Sequence, residues 1–220
     1  VCSSLNRPVI TATQMMESMV DSPIPTRAEV IDVATAVAAG TDAIMLSAET
    51  ATGNFPVQAV IAMDRIARAA EQEIEESLPK AAEGKRSHKI DQTVAMAAVY
   101  SAAHSEITAI VALTESGNTA LLMSRYPVAQ NIYALTPSRK SASRMALFRG
   151  VHPILFDFHH DDHGLLIQQC VQYLVKEKFL EPSECIALTK GSQLKMVGGT
   201  NILGIYRVAD LLGLAAKKNK

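Results

Sequence analysis

The chain has 220 residues, of which 48% are hydrophobic, so it is long enough and apolar enough to bury one or two cores. Lys and Arg total 21 against 22 for Asp and Glu, and this near-neutral balance indicates neither nucleic acid nor a membrane surface as a partner. The three cysteines form no CxxC pair and no apolar run approaches membrane-spanning length, so we expect reduced thiols in a cytoplasmic protein.

The first part of the chain alternates predicted strands and helices. Pro8–Thr13 is a short apolar run with β-branched residues, typical of a buried strand, and Asp42–Ser47 is a second one. A helix is predicted between them over residues 27–39, with Thr26 as its N-cap and Glu29 at capping-box spacing.

A second helix is predicted from Pro56 to about Ala70, and its inward-facing residues are predicted to include Val57, Val60, Ile61 and Ile66. Two successive βα units fit either a closed barrel or a doubly wound sheet, and two units alone cannot bury their strands. A buried strand this close to the first residue also leads us to expect a segment of a longer protein.

The charged stretch at residues 79–89 is predicted to link a domain at residues 1–78 to a second one at residues 90–220. The second domain again alternates helices and strands. Its predicted strands are Ile107–Leu113, Asn131–Leu135, Ile154–Phe158, Cys185–Leu188 and Ile202–Val208. No helix separates the last two strands, so we expect the last one to be antiparallel to its neighbour.

Polar side chains follow both strands of the first domain. Thr13 and Gln14 end the first strand, and Ser47 and Glu49 end the second. In an α/β barrel, reactive groups lie where strands end and loops begin, so these side chains could lie close together at one end of the barrel. The alternative is that Thr13 and Ser47 merely cap the turns that follow.

Three runs carry a family resemblance: VITATQMMESM at Val9–Met19, PTRAE at Pro25–Glu29 and MLSAET at Met45–Thr50. They closely resemble motifs of pyruvate kinases. The resemblance implies an α/β fold with a partial (β/α)8 barrel segment, followed by an open α/β sheet domain with a last antiparallel strand.

The same resemblance implies roles for individual residues. Thr13 corresponds to an active-site threonine. Ser47 and Glu49 correspond to residues that position the substrate and relay a proton toward C-3 of enolpyruvate. Arg27 corresponds to an arginine at a subunit contact beside the active site.

For the intact enzyme, the resemblance implies phosphoryl transfer from phosphoenolpyruvate to ADP with Mg²⁺ and K⁺, in a homotetramer. In the family, the catalytic lysine, the acidic metal ligands and the monovalent-cation site all precede this segment. We therefore predict no metal site within this chain and no activity for the chain alone.

A polar turn follows the first strand of the second domain, in the run LTESGNTA at Leu113–Ala120. Hydroxyl groups of Thr114, Ser116 and Thr119 cluster there around a predicted helix N-terminus, whose free N–H groups suit a phosphate. Ordinary turn chemistry is the alternative explanation of the same residues.

The family resemblance implies that this turn holds the phosphate of an allosteric effector, and that a later segment, Thr189–Asn201, closes over it. The turn residues concerned are Thr114, Glu115, Ser116, Gly117, Asn118 and Thr119. Those of the later segment are Lys190, Gly191, Ser192, Lys195, Gly198, Gly199 and Thr200.

Some residues depart from the family's pattern. Glu115 stands where relatives that bind fructose 1,6-bisphosphate carry Lys, the chain has no Trp, and Lys176–Phe179 reads KEKF where those relatives use an Arg. The added negative charge disfavours a doubly phosphorylated ligand, so a sugar monophosphate or AMP is predicted. Asn118 replaces an Arg that many such relatives carry. The rival interpretation is a stand-alone, non-catalytic module that binds a phosphorylated effector.

Overall fold

The computed structural model describes residues 5–75, 89–126, 128–158, 163–192 and 198–213. The chain divides into two compact units, Val1–Leu78 and Pro79–Lys220. The predicted linker at residues 79–89 lies almost wholly outside the described residues, and it stays a prediction. Within the described residues, no helix combines the length and the hydropathy that crossing a membrane requires.

The first unit consists of short strands followed by helices. Its elements are β1 (Ile10–Thr11), a 3-10 helix (Glu17–Val20), α1 (Arg27–Ala38), β2 (Ala43–Ile44), α2 (Ala48–Ala51) and α3 (Pro56–Glu75). The two strands pair in parallel, with Thr11 opposite Ile44. This is the strand–helix alternation of a barrel segment, as predicted, although each strand is shorter than its apolar run.

Helix α1 begins as the sequence predicts. The Thr26 hydroxyl accepts the Glu29 N–H at 3.4 Å, and the Glu29 carboxylate accepts the Thr26 N–H at 2.8 Å. The capping box is therefore confirmed. Gly40 follows the helix with a φ of 83°, a conformation that favours glycine after a helix end.

Methionines form much of the first unit's core. Met16, Met19 and Val33 are fully buried, and Met63 of α3 packs with them. The predicted inward face of α3 is wrong in part: Val57, Val60 and Ile61 are 64%, 53% and 53% exposed, whereas Ile66 packs against the core as predicted. The packed face of the helix carries Ala59, Met63 and Ile66, spaced four and three residues apart.

The second unit is a five-stranded sheet with helices on both faces. Its elements are α4 (Ile90–Ala103), β3 (Ile107–Leu113), α5 (Asn118–Met123), β4 (Asn131–Thr136), α6 (Arg139–Met145), β5 (Val151–Leu155), α7 (His163–Lys176), β6 (Cys185–Gly191), β7 (Thr200–Arg207) and α8 (Val208–Leu211). The strand order is β5-β4-β3-β6-β7, and β7 runs antiparallel to β6. The predicted open α/β sheet with a last antiparallel strand is confirmed.

The alternation of side chains along β3 divides the core of this unit into two layers. Ile110 and Ala112 pack with residues of α4, α5 and α6, whereas Ala109 and Val111 pack with residues of α7. A central strand buried on both faces explains why β3 is a continuous apolar run, and why its bounds match the prediction.

Strand β5 differs from its prediction. It spans Val151–Leu155, and Val151 pairs with Ile132 of β4, whereas the sequence predicted Ile154–Phe158. Pro153 lies inside the observed strand. Proline lacks the N–H of a central strand, but β5 is at the sheet edge, where proline is tolerated.

The cysteines in the described residues are free thiols. Cys170 lies on the face of α7 that packs against the sheet and is fully buried, and burial raises the pKa of its thiol to about 12. A thiol with so high a pKa is protonated at neutral pH and acts as a small apolar side chain.

Candidate functional site

Thr13 and Ser47 follow equivalent ends of two parallel strands. Because Thr11 pairs with Ile44, the segments that leave β1 and β2 start at the same edge of this small sheet. Both Thr13 and Ser47 are exposed. Exposure of these two residues at one edge is what a substrate-facing role requires.

The backbone at Thr13 and Gln14 is strained. Their φ angles are 72° and 54°, in the left-handed region that β-branched residues such as Thr rarely adopt. A conformation of this kind persists only where the surrounding structure enforces it, and such residues concentrate at functional sites.

Glu49 joins the two strand-end segments. Its side chain is 3% exposed; Oε1 accepts the N–H of Met16 at 3.1 Å and Oε2 accepts the N–H of Ser47 at 2.8 Å. Burial by itself raises the pKa of Glu49, but the N–H groups of Ser47, Glu49 and Met16 bring that pKa below its usual value. A buried carboxylate thus holds both family motifs by their backbones.

Glu49 and Asp42 do not fit a two-carboxylate magnesium site. Both oxygens of Glu49 already accept N–H groups, and Asp42 Oδ2 accepts the N–H of Val9 at 2.8 Å, before β1 begins. Across the part of the chain that the structure describes, no three His, Cys, Asp or Glu side chains are grouped as a metal requires. No chemical step is therefore assigned to a metal held by these residues.

Arg27 is the first residue of α1 and is exposed. An exposed cation in the first turn of a helix gains nothing from the helix dipole. Its position is compatible with the subunit contact that the family resemblance implies, and that contact stays a prediction.

The predicted phosphate turn is internally hydrogen-bonded. Thr114 Oγ1 accepts the N–H of Gly117 at 3.0 Å, and Ser116 Oγ accepts the N–H of Asn118 at 3.4 Å. These are the bonds of ordinary turn chemistry, the alternative given above. Gly117 has a φ of 76°, and a Cβ there would lie 2.6 Å from Cγ of Met145, so the turn requires glycine.

Three side chains that sequence reasoning did not select also hold this turn. Asp91 at the start of α4 accepts a hydrogen bond from the Asn118 side chain at 3.0 Å. Arg144 donates to the Ser116 carbonyl at 2.9 Å, and Thr136 donates to the Glu115 carbonyl at 3.2 Å. All three contacts are distant in sequence, and no local pattern indicates them.

Thr119 and Thr200 bring the two predicted effector segments together. Their side-chain oxygens lie 2.6 Å apart and both residues are buried. Thr119 is in the first turn of α5 and Thr200 begins β7, so this contact joins the predicted phosphate turn to the end of the later segment.

The later segment is held where it leaves the sheet. The Ser192 N–H donates to Asn201 Oδ1, and Asn201 Nδ2 donates back to Ser192 Oγ, both at 2.8 Å. Gly191 ends β6, Gly198 has a φ of 75°, and Gly199 is half-buried. Lys195 lies outside the described residues.

Lys190 is 7% exposed, and burial lowers the pKa of its amine. Its burial in the sheet distinguishes it from the flexible, solvated lysine expected of a loop that closes over a ligand. The sequence pattern does not show this, because β6 extends beyond its predicted end at Leu188 to Gly191.

Comparison with known families identifies the family to which the chain belongs. The family model described as pyruvate kinase, alpha/beta domain, matches residues 92–206, and that described as pyruvate kinase, barrel domain, matches residues 1–60. The chain belongs to the pyruvate kinase family. The matched ranges fall within the two compact units.

Individual pyruvate kinases match most of the chain. That of Buchnera aphidicola subsp. Baizongia pistaciae is 43% identical over 205 residues, covering 93% of this chain and 43% of the relative. Pyruvate kinase II of Salmonella typhimurium is 42% identical over 206 residues, covering 93% of this chain and 42% of the relative. The chain thus spans about two-fifths of the length of these curated relatives.

Proposed function

We propose that the intact protein transfers a phosphoryl group from phosphoenolpyruvate to ADP, giving pyruvate and ATP. Family membership supports the reaction class. The observation that carries the assignment to this segment is the Glu49 carboxylate, which holds Met16 of one strand-end motif and Ser47 of the other.

The proposed chemistry divides between this chain and the rest of the enzyme. Loss of the phosphoryl group leaves the enolate of pyruvate, which needs a proton at C-3. Thr13 and Ser47, exposed at one edge of β1 and β2, face that substrate and relay the proton. The charge on the transferring phosphoryl group is neutralised by Mg²⁺ and K⁺, held by residues outside this chain.

A chimaera tests this proposal. The chain replaces the matched part of Salmonella typhimurium pyruvate kinase II, and pyruvate formation is measured with phosphoenolpyruvate, ADP, Mg²⁺ and K⁺. We expect activity from the chimaera and none from the 220-residue chain alone. A folded chimaera that forms no pyruvate would contradict the proposed reaction.

The second unit is proposed to bind a monophosphorylated effector, a sugar monophosphate or AMP, between the 114–119 turn and the 190–200 segment. The Thr119–Thr200 contact supports this, because it joins the two segments. Oε1 of Glu115 is buried without a hydrogen-bond partner among the described residues, and such an acceptor suits a ligand hydroxyl or amine better than a second phosphate.

Thermal unfolding of the chain with glucose 6-phosphate, ribose 5-phosphate, AMP or fructose 1,6-bisphosphate tests the effector site. Stabilisation by a monophosphate but not by the bisphosphate is expected. No shift with any of the four would exclude this site. A shift together with an inactive chimaera would favour the rival interpretation, a stand-alone binding module.

Assembly and location are proposed from the family as well. The intact protein is a cytoplasmic homotetramer, and exposed Arg27 contributes to a subunit contact. Light scattering of the chimaera and of its Arg27→Ala variant tests this. A tetramer that weakens on substitution is expected, and an unchanged assembly would contradict the role of Arg27.

A further inference from the structure

Glu29 has more hydrogen bonds than its role as a helix cap explains. Its carboxylate accepts the N–H of Ser18 at 2.8 Å and the Ser18 hydroxyl, and also the N–H and the hydroxyl of Thr26, both at 2.8 Å. The capping box accounts for the bond from the Thr26 N–H. The two bonds from Ser18 reach a different segment, eleven residues earlier in the chain.

Those two bonds hold the segment that follows the strained residues Thr13 and Gln14. Ser18 lies in the 3-10 helix Glu17–Val20, which directly follows the buried Met15 and Met16. Glu49 holds the start of this segment through the N–H of Met16, and Glu29 holds its next turn. Two carboxylates on different helices thus hold Met16 and Ser18, two and four residues after Gln14, a restraint of the kind that a left-handed Thr requires.

The ionisation of Glu29 matches this role. Burial alone raises its pKa, but the hydrogen bonds from Ser18 and Thr26 outweigh burial and lower it. The residue is therefore a carboxylate at neutral pH, and carboxylates form stronger hydrogen bonds with N–H and O–H donors than neutral acceptors do.

We propose that Glu29 is a positioning residue for the active site: through Ser18 it holds the Thr13 segment in the orientation that delivers the proton to C-3. This inference rests on the proposed function. It assigns to the PTRAE run of this chain a task beyond starting α1, namely to couple that helix to the strand-end segment that carries Thr13.

The first test uses the 220-residue chain and its Glu29→Gln variant. Gln keeps the shape of the side chain, but one carboxylate oxygen becomes an NH2 group, which cannot accept hydrogen bonds from Ser18 or Thr26. Amide hydrogen exchange at Met16 and Ser18 is compared with that in wild type. Exchange at Ser18 is expected to accelerate about tenfold or more. Asp32→Asn, an exposed acid one turn further along α1, is the matched control and should change neither rate.

The second test introduces the same variants into the chimaera. Glu29→Gln is expected to lower kcat about tenfold or more and to leave the KM for phosphoenolpyruvate within about twofold, because the lost contact positions a proton donor and does not bind substrate. Exchange of the pyruvate methyl protons with D2O should fall in parallel. Ser18→Ala removes only the hydroxyl and is expected to give a smaller change of the same kind. This variant replaces Glu29→Gln in the test if Glu29→Gln does not fold.

The outcomes separate this inference from the proposed function. Unchanged exchange at Ser18, or accelerated exchange with unchanged kcat and proton exchange, would overturn the positioning role. An inactive parent chimaera would count against the proposed reaction. In that case accelerated exchange at Ser18 would still support the restraint by Glu29, since that measurement uses no catalysis.

Discussion

The side-chain oxygens of Thr119 and Thr200 lie 2.6 Å apart, and both residues are less than one-tenth exposed. This buried bond connects residues that are 81 positions apart in the sequence. Replacing one partner by Val leaves the other hydroxyl buried without its partner, whereas replacing both removes the polar pair together.

Thr119→Val and Thr200→Val are therefore each expected to destabilise the second unit by about 1–3 kcal/mol, and the double variant by less than their sum. Urea unfolding followed by tyrosine fluorescence measures this, because all five tyrosines belong to the second unit. Strict additivity of the two single effects would show that the contact contributes nothing.

Gly117 and Gly150 provide a matched pair for the turn. Both have positive φ angles, but a Cβ at Gly117 would lie 2.6 Å from Met145, whereas nothing lies within 4 Å of one at Gly150. Gly150→Ala is expected to cost about 1–2 kcal/mol from backbone strain alone. Gly117→Ala adds overpacking, which costs about 1–3 kcal/mol more.

The same tyrosine-monitored unfolding compares these two variants. Gly117→Ala should also weaken any stabilisation by AMP, because the predicted phosphate turn would have to move. Equal free energies of unfolding for the two variants would contradict the close packing against Met145.

The first unit is expected to lose stability in acid. Glu29 and Glu49 both have a pKa below the usual 4.5 in the folded chain. A group with a lowered folded pKa contributes stability above its unfolded pKa, and this is lost as the pH falls through the folded value. Stability should thus be constant above about pH 5 and fall below about pH 4.5.

Methyl NMR signals of Met16 and Met19, buried in the first unit, report its urea unfolding at each pH. In Glu49→Gln the loss below pH 4.5 should be smaller, because this variant has one fewer ionised carboxylate to protonate. A midpoint that stays constant from pH 7 to pH 3 in wild type would contradict the roles of both carboxylates.

Local patterns predicted the parts of the fold that local interactions determine. The capping box of Thr26 and Glu29 depends on residues three positions apart, and the sequence therefore identifies it. The bounds of β3 follow from burial on both faces. Strand β5 and the inward face of α3 depend on which neighbours are present, and both predictions were wrong in detail.

In the candidate sites, too, local patterns identified some residues, whereas contacts between distant segments were not predicted. The family motifs identified Thr13, Ser47 and Glu49, and the polar run LTESGNTA identified Gly117 as part of a turn. The contacts that hold them, such as Ser18 with Glu29 and Asn118 with Asp91, join segments distant in sequence. No spacing rule indicates such pairs, because they form only when the chain is folded.

Thr13 in the chimaera tests the account most directly. Thr13→Val removes the hydroxyl while nearly preserving side-chain shape, and Thr35→Val, at an exposed position of α1, is the control. We predict that Thr13→Val lowers both kcat and pyruvate proton exchange about 100-fold or more, as removal of a proton-transfer group does, and that Thr35→Val changes neither. A Thr13→Val chimaera as active as its parent would contradict the assignment of this strand end to the active site.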